Sequence, residues 1–360
     1  MSYTIPIGPY HPALEEPIHA RLTVDGERIT DAEVFVGYNH RGIERLAQER
    51  NFIQTLVLVE RVCGICSHSH SLTYALCIEH IAGMEVPKRG QYIRVIIEEL
   101  ERIHSHLLWL GIACHIVGHD SLFMQCWNDR EGTMDVLENL TGNRVNYGMN
   151  IIGGARRDFS DDQRRDLMVA MDDLEKRMGP ITHWLTHDKT LAMRTKGVGI
   201  LTREDAIRLG AVGPHARASG VDMDVRRDAP YSSYDDFEFT VPVQESGDVY
   251  ARVVIRVLEI YESIKIIRQA VDNLPEGPIN LGNRIPKVPA GEFIARHEAP
   301  RGHLVYEVVT DGGVNNHRVS LHVPTFKNAP TVPVMLRDNT VADAGLIVAS
   351  IDPCFSCLDR

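Results

Sequence analysis

Apolar residues recur every three or four positions over long stretches of the middle of the chain. From Lys88 to about His119, residues Ile93, Ile96, Ile97, Leu100, Ile103, Leu107 and Leu110 fall on one stripe, which predicts a long amphipathic helix. Asp248 to Leu274 repeats the pattern with Val253, Val257, Ile260, Ile264, Ile267 and Val271. A third helix is predicted to start at Ser160, because Ser160-Asp161-Asp162-Gln163 is a capping box, and to stop at Met178-Gly179-Pro180. A short one follows Thr202 and ends at Gly210. The ends of the chain have a period of two instead. Residues 19 to 37 alternate around Asp25-Gly26 as a hairpin would, and after Pro275-Glu276-Gly277-Pro278 the chain breaks into short β-like runs such as His303 to Val309. The expected fold is α+β and predominantly helical, a single domain over 1–360. A long-helix bundle core (61–275) lies between a strand-rich N-terminal part (1–60) and a C-terminal strand and loop part (276–360).

Composition narrows the function. The 360 residues are 44% hydrophobic and 24% charged, as in an ordinary globular chain. Lys and Arg number 38 against 49 Asp and Glu, a net charge of -11 without a basic run, so nucleic acid is not an expected partner. The first residues do not read as a secretory signal, and no uncharged apolar run approaches the roughly 20 residues that span a bilayer.

Seven cysteines include two Cys-x-x-Cys clips, Cys63-Gly64-Ile65-Cys66 and Cys354-Phe355-Ser356-Cys357, near opposite ends of the chain. In a reducing compartment such clips indicate metal or redox chemistry rather than disulfides, and thiolates favour nickel, zinc, copper(I) or iron clusters. Cys77, Cys114 and Cys126 are expected to be buried thiols. Structural zinc is the plainest alternative, but zinc ribbons space their clips about 15 to 20 residues apart, and a chain this long has no need of one. Thioredoxin-like chemistry needs only one clip.

The string Arg61-Val62-Cys63-Gly64-Ile65-Cys66-Ser67-His68-Ser69-His70, with Asp352-Pro353-Cys354-Phe355-Ser356-Cys357, resembles the large subunit of nickel-iron hydrogenases, whose motifs are R-x-C-G-x-C-x-x-x-H and D-P-C-x-x-C. Glu298-Ala299-Pro300-Arg301-Gly302 and Arg41-Gly42-Ile43-Glu44 agree with it. Gly8-Pro9-Tyr10-His11-Pro12-Ala13, His40-Arg41-Gly42, Ser219-Gly220-Val221 and Pro230-Tyr231 are similar to the quinone-site subunit of respiratory complex I. That combination points to the energy-converting, membrane-associated (Ech-type) branch. A start directly at the shared motif favours this type over formate-hydrogenlyase subunits, and Leu358-Asp359-Arg360 matches the remainder left when family precursors are trimmed.

The resemblance implies a nickel-iron centre with cyanide and carbon monoxide on the iron. Cys63 and Cys354 would be terminal nickel ligands, and Cys66 and Cys357 would bridge the two metals. Arg301 would sit beside the centre, anchored by Asp352. Pro300 would shape the pocket wall, Thr325 would match a family hydroxyl or backbone position that hydrogen-bonds a cyanide, and His70 would match the family histidine. His68 would be a polar neighbour only, and Asp120 a loose candidate for the network. Glu16, with Glu15 as fallback, would carry protons outward. Many relatives hold magnesium with a glutamate and a C-terminal histidine. Here the last residue is Arg360, which cannot ligate a cation, so Arg360 is expected to pair with Glu44 in place of magnesium. The implied activity is reversible conversion of H2 to protons and electrons. The implied partners are an iron-sulfur small subunit, ferredoxin, and other hydrophilic and integral membrane subunits, at the cytoplasmic face of the cell membrane. The alternatives are a metal-free quinone-site scaffold and a zinc-stabilised interaction protein.

Overall fold

The computed structural model describes residues 2–11, 14, 16–282 and 287–360, so Glu15 and part of the Gly8–Ala13 motif lie outside the described residues. Strands β1 (Ser2–Ile7), β2 (His19–Asp25) and β3 (Arg28–Phe35) form an antiparallel sheet in that order. Alternation in β2 buries Ala20, Leu22 and Val24 and turns Arg21 to solvent. Gly26, at φ 63, makes the left-handed turn of the expected hairpin.

Two short helices follow, α1 (Ile43–Gln48) and α2 (Phe52–Glu60), then α3 (Ser67–Ile81), α4 (Lys88–Ile116) and α5 (Asp120–Thr141). A small ribbon, β4 (Asn150–Ile151) and β5 (Gly154–Ala155), leads to α6 (Asp161–His187). Four short helices, α7 (Lys189–Thr195), α8 (Arg203–Arg208), α9 (Gly213–Arg217) and α10 (Val225–Asp228), precede the long α11 (Val249–Asp272). A second antiparallel sheet contains β6 (Ala290–Ala299), β7 (Gly302–Asp311) and β8 (Asn316–His322). The chain closes with α12 (Pro324–Asn328), α13 (Val332–Leu336), α14 (Ala344–Ser350) and α15 (Phe355–Asp359).

The fold is mostly helical, with α4 packed against α5 and α11, and α6 against the same two. Apolar stripes from these four helices, including Ile96, Leu107, Leu137, Met171, Met178 and Ile264, fill the largest core. The N-terminal sheet buries its apolar face against α13 and α14, so the two ends of the chain share one core.

Three features depart from the sequence expectation. Helix α6 continues through Pro180 to His187. Proline removes one helical hydrogen bond, but Met178, Ile181 and Leu185 continue the buried stripe, and that packing outweighs the break. Helix α5 is an element that the apolar pattern does not predict, although Gly142 at φ 86 is an ordinary left-handed helix terminator. Helix α4 is not amphipathic in the usual sense. Its polar residues Arg94, Glu98, Glu99, Glu101 and Arg102 are all buried, because α3, β6 and α10 cover that side.

Backbone meets backbone where α9 touches the β6–β7 turn. A Cβ on Gly213, itself at φ 68, would lie 2.4 Å from the Cα of Gly302 and 2.5 Å from the carbonyl oxygen of Arg301. Gly213→Ala is expected to destabilise the protein by about 2–4 kcal/mol through left-handed strain plus overpacking, read as a lower thermal midpoint. An unchanged midpoint would contradict this packing.

Candidate metal centre

The first clip lies between α2 and α3, with Cys66 as the residue before α3, and the second leads into α15 with Cys354 in the equivalent position. All four thiols are free and buried. Their sulfurs converge, with Cys63 and Cys354 3.4 Å apart, Cys66 and Cys357 3.5 Å apart, and Cys354 and Cys357 3.1 Å apart. A small cavity adjoins them, lined by Cys66, His70, Arg301, Thr325, Cys354 and Cys357.

Polar clasps hold the tail in place. The Arg41 guanidinium donates to the carbonyls of Arg61 and Val62 beside the first clip and to the carbonyl of Ser356 inside the second. The Asp359 carboxylate accepts from the N–H groups of Gly37 and Asn39. Arg360 donates to Glu44 at 2.8 Å, the pair expected from the sequence, and Arg318 and the Leu321 N–H complete the partners of that carboxylate. Burial would raise the Glu44 pKa, but the Leu321 N–H and the two guanidiniums hold it below its ordinary value of 4.5.

The side chains around the sulfurs are oriented by one another. Arg301 donates from Nη2 to the Asp352 carboxylate at 2.7 Å and from Nε to the Asp352 carbonyl at 2.9 Å. Asp352 presents both groups to one guanidinium because its backbone is left-handed, at φ 55. The Ser105 hydroxyl accepts from Nη1 of the same guanidinium. His70 lies between Cys357, with Nε2 3.3 Å from Sγ, and Tyr306, with Nδ1 2.6 Å from the hydroxyl. Burial lowers the His70 pKa to about 4 and pushes the Tyr306 phenol well up, so both are neutral. In the tautomer that accepts the phenol's proton at Nδ1, Nε2 carries a proton and points it at the sulfur. The Thr325 hydroxyl accepts from the Cys354 N–H at 3.1 Å. The Glu16 carboxylate accepts from the N–H groups of Phe355 and Ser356, between the two clip cysteines.

Pro300 is buried in the β6–β7 turn, between two residues that line the cavity. His68 is buried but faces away from the sulfurs, bonded to the Arg94 carbonyl and the Asn150 amide. Asp120 does not join the network. It starts α5 at the surface, paired with His115, because a turn separates it from α4. Cys77, Cys114 and Cys126 are buried apart from the clips. Arg41, Ser105 and Tyr306 are site residues that the sequence reading misses. Arg41 stands in a segment that matches the hydrogenase pattern; nothing local marks the other two.

The donor set suits a soft cation. Burial pushes the Cys357 thiol well above its ordinary range, and the neighbouring sulfurs push it further, so four thiolates require a bound positive ion. A family profile described as nickel-dependent hydrogenase matches residues 41–112. The profile of the respiratory-chain NADH dehydrogenase 49 Kd subunit matches 117–287 and 281–360. The chain is 43% identical over its whole length to the carbon monoxide-induced hydrogenase of Rhodospirillum rubrum, covering 99% of that protein. It is 42% identical to the alpha subunit of the membrane-bound hydrogenase of Pyrococcus furiosus, covering 99% of this chain and 87% of that one.

The chain belongs to the Ech-type membrane-bound hydrogenase large subunits.

This hydrogenase family merges with that of complex I. A subunit of the NADH-quinone oxidoreductase of Clostridium beijerinckii is 39% identical over 99% of this chain and 97% of its own. A component of the membrane-bound sulfane sulfur reductase, an archaeal respiratory membrane complex, superposes with a TM-score of 0.95 at 32% identity, covering 100% of this chain and 98% of that one.

The clasps set stability as well as geometry. Arg41→Ala removes three charge-assisted bonds to carbonyls and is expected to cost about 2 kcal/mol in denaturant unfolding, with lower metal content; full metal content at parental stability would contradict its role. Because the folded pKa of Glu44 is depressed, its contribution is present above the ordinary carboxylate value and disappears as pH falls through the lower one. The stability difference between the parent and Glu44→Gln should be constant around neutral pH and vanish in acid.

Proposed function

We propose that the chain is the catalytic subunit of a nickel-iron hydrogenase, interconverting H2 with two protons and two electrons. The observation that carries this reading is the meeting of four buried thiols from opposite ends of the chain. Complex I-like relatives share the fold, so the fold alone supports a quinone-site scaffold equally well; a four-sulfur pocket has no purpose in a metal-free scaffold.

Cys63, Cys66, Cys354 and Cys357 would hold the centre. Sulfur contacts of 3.1, 3.4 and 3.5 Å would suit one small centre, and the family resemblance would make Cys63 and Cys354 the terminal pair and Cys66 and Cys357 the bridging pair. When bound, a nickel-iron centre with cyanide and carbon monoxide on the iron supplies the redox states and Lewis acidity for splitting H2. The protein supplies the surroundings. Arg301 places a fixed positive charge beside the sulfurs, and Asp352 stops it from swinging away. His70 donates to Cys357 and sets the basicity of that sulfur, while Pro300 and Thr325 shape the wall. Glu16 is half-buried, and burial raises its pKa despite the two N–H groups it accepts from. Its carboxyl can therefore take a proton from the cluster side and release it toward solvent.

Among the described residues no helix is long and apolar enough to cross a membrane. A peripheral position on integral membrane subunits is supported by a relative named as a subunit of a membrane-bound hydrogenase, and the side would be the cytoplasmic face. Electrons would leave through an iron-sulfur small subunit to ferredoxin. The Glu44–Arg360 pair would take the place of magnesium.

Elemental analysis of the purified complex should find nickel and iron in this subunit; zinc alone, or no metal, would refute the proposal. Glu16→Gln should retain nickel and iron but suppress hydrogen-deuterium exchange, and retained exchange would move the proton route elsewhere.

A further inference from the structure

A hydroxyl flanked by two carboxyl groups lies under the first clip. Ser69 Oγ on α3 is 2.5 Å from Glu101 Oε1 and 3.0 Å from Glu98 Oε1, both on α4, and all three residues are buried. A hydroxyl has one hydrogen to donate, so it can satisfy one of these contacts as a donor. The other needs a proton on a carboxyl. Glu101 is the natural holder: its remaining partners are the N–H groups of His68 and Ser69, and it forms no ion pair among the described residues. Burial and the neighbouring Glu98 both raise its pKa.

The surrounding cations are already committed. Arg226 on α10 pairs with Asp224 and Glu99, and Arg102 on α4 pairs with Glu99 and donates to the carbonyls of Glu298 and Ala299, leaving Glu98 3.8 Å away. The other titratable groups facing the pair are Tyr147, Tyr231, Tyr234 and His297. Glu98 Oε1 is 2.7 Å from His297 Nε2 on β6, and Glu98 Oε2 and His297 Nδ1 have no hydrogen-bond partner among the described residues. The His297 ring lies 4.5 Å from that of Tyr231, which lines a wide surface cleft with Glu79, His80, Arg94, Phe293 and Arg296.

We propose that Glu98, Ser69 and Glu101 form a buried proton store, sharing one proton between two carboxyl groups across the Ser69 hydroxyl. In the transfer, the Glu101 carboxyl gives its proton to Ser69 Oγ while the hydroxyl gives its own to Glu98, so the negative charge moves from Glu98 to Glu101. His297, with its proton on Nε2, donates to Glu98 throughout and takes no part in the transfer. Every proton is conserved and no co-reactant is needed. The store's Ser69 lies three residues past Cys66 in the first clip, whereas Glu16 contacts the backbone of the second. That it handles the protons of hydrogen turnover rests on the hydrogenase reading; its existence does not.

Infrared spectroscopy of the purified complex tests both and separates them. The store requires a protonated-carboxyl stretch that shifts in D2O and is lost in Glu101→Gln. Ser69→Ala keeps both carboxyls, so it should move the same band to higher frequency by removing a hydrogen bond, which covers the case in which Glu101→Gln does not fold. A parent spectrum without this band, or a band unmoved by Ser69→Ala, overturns the store. The cyanide and carbonyl stretches of the metal centre lie in a different region. If they are absent while the carboxyl band behaves as described, the hydrogenase reading fails and the store stands.

Discussion

The fold depends on closing the C-terminal tail onto the N-terminal third. Two pairs of thiols, each on a turn of four residues, must meet in a space that fits one small cluster, and neither clip can do this alone. The tail is not placed by apolar burial alone, since α15 is five residues long and contributes Phe355 and Leu358, packed on Ile18. It is also fastened by directed polar contacts: Asp359 to the 37–39 backbone, Arg41 to carbonyls beside both clips, and Arg360 to Glu44. Charge-assisted bonds are short and directional, which suits a joint that must fix sulfur positions to within a few tenths of an ångström.

Behind the sulfurs lies a second constraint. Arg217 pairs with Glu259, Glu298 and Asp224, and Arg226 with Asp224 and Glu99, all fully buried. Buried ion pairs contribute little net stability, because desolvation offsets their attraction, but removing one partner strands a charge. Their effect here is positional. The network ties α4, α9, α10, α11 and β6 into one arrangement, and Arg102 grips the carbonyls of Glu298 and Ala299 at the edge of the turn that bears Arg301.

Much of this is legible in the chain. The stripes of α4 and α11 locate those helices to within a few residues, and the alternation of 19–37 marks its hairpin. The clip motifs single out the four cysteines that the structure brings together, and the charge of Arg360 indicates its partner Glu44. The misses have physical causes. Pro180 is a local break signal overridden by Ile181 and Leu185 in the core. Asp120 follows the long helix α4, whose Ser105 reaches the site, but the turn after α4 carries it to the surface. The charged residues of α4 resemble a solvated face, because one helix's sequence does not show what other elements cover. Ser69, Glu98 and His297 meet across three elements, so no local pattern could announce them.

Nickel-edge X-ray absorption on the purified complex tests the central claim most directly. The expected result is a nickel shell of sulfur neighbours, reduced by Cys63→Ser in one clip and by Cys354→Ser in the other, since both clips close on one ion. Nickel in an oxygen and nitrogen shell, or a sulfur shell indifferent to either substitution, would contradict it.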